Sequence, residues 1–119
     1  MLTKEQITRL LDIAGAATHK GLTAQARRIY EGVLADRPGF VPALIGLAFN
    51  HMTVDQFGEA EDILRNQVLA KNPGDADALA YLGLCLRLEG RTDEARAVLE
   101  SVPADAASAR AMADRLLEA

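Results

Sequence analysis

Gln25-Ala26-Arg27-Arg28-Ile29-Tyr30, Glu59-Ala60-Glu61-Asp62-Ile63-Leu64 and Glu94-Ala95-Arg96-Ala97-Val98-Leu99 are three versions of one string. Each has an alanine, two intervening residues, a β-branched apolar residue and then a large one. Ala26, Ala60 and Ala95 recur at intervals of 34 and 35 residues. At a fixed offset upstream of each alanine stands a second apolar pair: Leu10 and Ile13, Leu44 and Leu47, Leu79 and Leu82. Independent positions agree on one period, so the chain is an internal repeat whose units stack on one another.

Each unit is two helices. Lys20-Gly21-Leu22-Thr23 and Glu89-Gly90-Arg91-Thr92 break units one and three. Their glycines suit a left-handed C′ residue, and their threonines are expected to cap the helix that follows. Unit two has Val54-Asp55-Gln56-Phe57, a weaker break without glycine. Arg37-Pro38-Gly39 and Asn72-Pro73-Gly74 separate the units. The pattern predicts helices at about 4–20, 23–36, 42–53, 57–71, 76–89 and 92–101. Thr3 to Gln6 has the spacing of a capping box for the first. After Pro103, with Asp105 as cap, a seventh helix is expected over 106–118, its apolar side made of Ala109, Met112, Ala113, Leu116 and Leu117.

Composition agrees. Alanine (22) and leucine (17), both helix formers, outnumber the 17 valines, isoleucines and threonines together, too few for a sheet-rich fold. With 13 basic and 17 acidic residues, the chain lacks a nucleic-acid footprint. No apolar run reaches the ~20 residues of a membrane span, so no membrane insertion is expected. The first ten residues have no secretory apolar region, and the lone Cys85 allows no internal disulfide; both lead to an expected cytoplasmic location.

A helix–turn–helix unit of this length and these landmarks resembles the tetratricopeptide repeat. Unit three carries the likeness best, with Leu79, Leu82-Gly83, Leu86, Gly90, Ala95 and Leu99 at the family's landmark positions. Unit one has Leu10, Ile13-Ala14, Ala17, Gly21, Ala26, Tyr30 and Pro38; unit two has Leu44, Leu47-Ala48, His51, Asp55, Ala60 and Leu64, with Pro73 one residue late. The resemblance implies an all-α fold: one domain over residues 1–119, with repeats at about 7–40, 41–75 and 76–103. They would form a short right-handed solenoid closed by a capping helix at about 105–118.

Chemistry is sparsely represented, and no catalytic residue, cofactor or metal site is expected. His19 and His51 lie in different units without metal-ligand spacing, and His51 falls on a packing position. Cys85 sits between leucines, as a packed thiol does. The glycines read as helix punctuation, not as a phosphate loop. Glu59, Glu61 and Asp62 suit a helix N-terminus.

That leaves surfaces. In the family, the inward side of the first helix holds the second, fifth, ninth, twelfth and thirteenth residues of each unit. Here these are Thr8, Leu11, Gly15, Thr18 and His19; Pro42, Ile45, Phe49, Met52 and Thr53; and Asp77, Ala80, Leu84, Arg87 and Leu88. Leu11, Ile45, Phe49, Met52, Leu84 and Leu88 make this an apolar trough, with Arg87 and Asp77 in unit three to orient a guest. Leu11 and Gly15 stand where chaperone-tail clamps of this family carry lysine and asparagine, which excludes a carboxylate clamp. The expected partner is a protein offering an amphipathic helix or apolar segment. In size, repeat number and trough character, the chain resembles the cytoplasmic chaperones of bacterial type III secretion, a likeness that implies shielding of an aggregation-prone helix. Two alternatives stand beside it: a trough filled by the chain's own last helix, and an assembly subunit that forms a homodimer through the trough or that helix.

Overall fold

The computed structural model describes all 119 residues. They form α1 (Lys4–His19), α2 (Thr23–Asp36), α3 (Val41–Met52), α4 (Phe57–Asp62), a π-helical segment (Ile63–Leu69) that continues α4, α5 (Ala76–Leu88), α6 (Thr92–Glu100) and α7 (Ala107–Glu118). The Thr3 capping box is present: Gln6 N–H donates to Thr3 Oγ1 at 3.1 Å, and Thr3 N–H donates to Gln6 Oε1 at 2.8 Å. Asp75 caps α5 by accepting from Ala78 N–H at 2.9 Å.

The three other expected caps are corrected. Leu22, Arg91 and Ala106 occupy the N-cap positions of α2, α6 and α7, and none makes a side-chain cap. Only one residue separates Gly21 from Thr23 and Gly90 from Thr92, so each threonine already lies in its helix. Gly21 and Gly90 do take left-handed backbone, with φ of 79° and 81°. Asp55, at the matching place in unit two, takes it too, with φ of 60°. An L-residue pays a steric penalty there that glycine does not. Asp55→Gly is therefore expected to stabilise the fold by roughly 0.5–1 kcal/mol, read as a higher urea midpoint at unchanged slope.

The expected single helix over 57–71 is α-helical only to Asp62. Its π segment marks where the repeat gains a residue. Buried pairs Tyr30 and Val33, and Leu99 and Val102, are spaced by three residues; Leu64 and Val68 are spaced by four. An extra residue inside a helix is absorbed by widening the turn, and Ala70 N–H accordingly donates to the Arg65 carbonyl, five residues back, at 2.9 Å. Deleting the exposed Gln67 restores the three-residue spacing. This deletion is expected to change stability by less than about 1 kcal/mol and to leave helical circular dichroism intact, whereas deleting Gly32 from regular α2 shifts buried Val33 and unfolds the chain.

The helices pack as pairs: α1 on α2, α3 on α4 and its π continuation, and α5 on α6. Each new first helix packs on both helices of the preceding pair: α3 on α1 and α2, α5 on α3, α4 and the π continuation, and α7 on α5 and α6, whereas the backbones of α2, α4 and α6 do not approach one another. A row in contact on one side and splayed on the other makes a curved stack, concave along α1, α3, α5 and α7. Small residues sit at the close crossings: a Cβ at Gly83 would overlap the Leu99 side chain, and one at Gly46 would lie 2.6 Å from Tyr30 Cζ. The terminal helix buries Ala109 and Ala113 with Ala80, Leu99 and Val102.

Units two and three are also joined by charge. Arg91 donates to Glu61 at 2.7 Å and to Glu94 at 2.8 Å, and Arg65 reaches Glu61 at 2.7 Å. Hydrogen bonds from Arg91 hold the Glu61 and Glu94 carboxyls below the usual carboxylate range. A lowered folded-state pKa stabilises above the unfolded value and is lost as pH falls through the folded one. The melting temperature is expected to drop as pH falls from about 5 to about 3, and to drop less steeply in Arg91→Gln.

Candidate functional site

The concave row fixes which side chains face the inner side of the stack. Residues at i, i+4, i+7 and i+11 share one side of a helix, so Asp77, Tyr81, Leu84 and Leu88 form a stripe along α5, with Arg87 beside its far end. Leu11 on α1, Ile45 and Phe49 on α3, and Tyr81, Leu84 and Arg87 on α5 are half-buried, and Leu88 is 53% exposed. Phe49 is the centre of this surface. Its ring lies 6.0 Å from that of His19 and meets Tyr81 edge-on at 5.8 Å, so one aromatic row links all three units. Beside it, Val41, Pro42, Ile45, Asp77 and Tyr81 line a hollow of about 310 Å³ between the first turns of α3 and α5.

Met52 is the correction. It is 3% exposed and belongs to the main core, because its long apolar side chain turns into the interior at the unit position where Thr18 is buried in unit one. Two other inward positions are also buried: Thr18 donates to the Ala14 carbonyl at 2.9 Å, and Ala80 packs with the α7 cluster. The remaining expected residues, Leu11, Ile45, Phe49, Leu84, Arg87 and Leu88, stay accessible on the inner side.

Sequence reasoning passed over Tyr81, which stands outside the five inward positions; its place four residues after Asp77 and three before Leu84 was the available signal. It also passed over Asn50. That residue is fully buried, accepting from Arg27 Nε at 3.0 Å and donating to Thr18 Oγ1 at 3.3 Å and the Thr23 carbonyl at 3.2 Å. Gln56 Oε1 accepts from Arg27 at 2.9 Å and lies 2.8 Å from His51 Nδ1, which places His51 in structural bonding.

The trough is not filled from within, since α7 packs on α5 and α6 and reaches neither α1 nor α3. Burial pushes the Cys85 thiol up to about 12, and its Sγ lies 3.5 Å from the Phe57 carbonyl. No three His, Cys, Asp or Glu side chains gather where they could hold a metal ion, and no helix is long and apolar enough to cross a membrane. A second, larger hollow of about 560 Å³ lies away from the trough, at the α1–α2 end of the stack, where Leu2, Leu10 and Ile29 line it.

The family profile described as tetratricopeptide repeat matches residues 55–119, more than half of the chain. Cellulose synthase operon protein C of Pseudomonas fluorescens (strain SBW25) is 40% identical over 86 residues, which is 72% of this chain and 7% of that protein's length. Among solved structures, the type III secretion translocator chaperone SycD of Yersinia enterocolitica superposes with a TM-score of 0.77 at 13% identity. The match covers 99% of this chain and 83% of SycD.

Proposed function

The chain belongs to the tetratricopeptide-repeat family, and from that premise we propose that it is a non-catalytic protein-binding module whose inner trough takes an apolar segment of a partner protein. One observation carries the reading. Leu11, Ile45, Phe49, Tyr81 and Leu84 stay half-buried and Leu88 exposed on α1, α3 and α5, the helices of the concave row, and the chain's own last helix reaches neither α1 nor α3. Burying one such side chain under a guest contributes roughly 1.5–3 kcal/mol. The fold shared with a translocator chaperone supports a chaperone role, in which the trough shields an amphipathic helix until release. The test is capture by the immobilised protein. Ile45→Asp abolishes it, while Leu22→Asp, an exposed apolar residue in the α1–α2 turn, leaves it unchanged; equal capture by both variants overturns the reading.

A second reading, an assembly subunit, draws support from the α1–α2 end of the stack, where Ile13 is 49% exposed next to Leu2 and Leu10. The apolar side of α7 is already taken by α5 and α6. Association of two copies would then use the trough or the α1–α2 end, and a mass by sedimentation that falls in Ile13→Asp and not in Ile45→Asp would assign it to the latter.

A further inference from the structure

We infer that the trough selects a helical guest by charge order, taking one that runs antiparallel to α5, with acidic residues in its first turn and basic residues in its last. The inference rests on the groove reading above and names the guest's polarity. Asp77 lies in the first turn of α5 and Arg87 in its last. Ten residues of helix separate them by about 15 Å. Tyr81, Leu84 and Leu88 follow Asp77 along one side of α5, and Arg87 stands about a quarter-turn off that side at its far end, within reach of a guest through its long stem.

Neither charge is taken up within the molecule. Asp77 and Arg87 form no ion pair, like Arg9, Arg28, Arg96 and Arg115; what sets these two apart is their place at the two ends of an apolar stripe on the inner side. Asp77 also borders the hollow walled by Val41, Pro42, Ile45 and Tyr81, which suits a lysine or arginine with its stem against the apolar wall and its head at the carboxylate. A guest helix laid along the stripe must bring a cation to Asp77 and an anion to Arg87. An acid-first, base-last helix does so only when antiparallel to α5. That order also suits the guest's own dipole and sets the two helix dipoles against each other.

The test uses two peptides of one composition. One begins Glu-Glu, carries leucines at helical spacing and ends Lys-Lys; its twin begins Lys-Lys and ends Glu-Glu. The twins differ in intrinsic helicity, so the reading is their affinity ratio on the native protein divided by the ratio on Asp77→Asn/Arg87→Gln. Both substitutions lie at the surface, and circular dichroism checks the fold. The native protein is expected to favour the acid-first peptide about fivefold more than the neutral variant does. Equal ratios on the two proteins, with binding still lost in Phe49→Asp, overturn the charge order and leave the groove standing. Binding by neither peptide, or binding that Phe49→Asp does not weaken, overturns the groove reading and this inference with it.

Discussion

Replacing Asn50 by leucine, a side chain of similar size, is expected to cost about 2–4 kcal/mol of stability, although it adds apolar surface to the interior. Asn50 joins the first helix of unit two to the last turn of α1, through Thr18, and to the first turns of α2, through Thr23 and Arg27. Its amide satisfies the Thr23 carbonyl and Arg27 Nε together, at 3.2 Å and 3.0 Å. Leucine removes one hydrogen bond each from the half-buried Thr23 carbonyl and the Arg27 guanidinium and gives none in return, which costs more than the methyl groups contribute. Arg27 keeps one bond, to Gln56 at 2.9 Å, which limits the loss. Urea unfolding reads the effect as a lower midpoint. Arg27→Leu made together with Asn50→Leu should cost less than the sum of the two single changes, because the second change removes the group that the first strands.

Phe49→Asp is expected to weaken partner binding by at least about thirtyfold. Phe49 is the one side chain that touches aromatic neighbours from both flanking units, so a carboxylate there puts charge at the centre of the apolar surface. The residue is half-buried, and some loss of fold stability accompanies the change. Phe49→Ala separates the two effects. It removes the ring without adding charge, and should weaken binding less than aspartate does at similar cost to the fold. Isothermal titration at a temperature well below both unfolding transitions measures each variant.

The stack was legible because its period is written redundantly: alanines, paired apolar residues and Pro-Gly breaks agree, and a helix-packing phase error would have broken that agreement. The extra residue before Pro73 was legible as an irregularity. Its form as a π turn was not, because a late proline is equally compatible with a longer loop. Caps were misplaced for a local reason: Thr23 and Thr92 stand one residue inside their helices as ordinary first-turn side chains, and Asp105 stands one residue ahead of the cap position at Ala106.

The trough was read from one position pattern applied uniformly to three units that differ in detail. Met52 failed because that position of the first helix packs inward in unit two, as it does at Thr18 in unit one. At the same place in unit three, Arg87 stays half-exposed. Ala80 failed because α7 occupies the place of a further unit's first helix. Asn50 carried a signal that the pattern ignored: it is a polar residue three places after Leu47, in the phase that faces the interior.

The central claim is that the concave row, and not the α1–α2 end, receives the guest. Methyl NMR during titration with the leucine peptide that begins Glu-Glu tests it most directly. Saturable shifts at Leu11, Ile45, Leu84 and Leu88, with Leu2, Leu10, Ile13 and Ile29 unmoved, are the result expected. Shifts confined to Leu2, Leu10, Ile13 and Ile29, or no saturable shift at any of the eight, would contradict it.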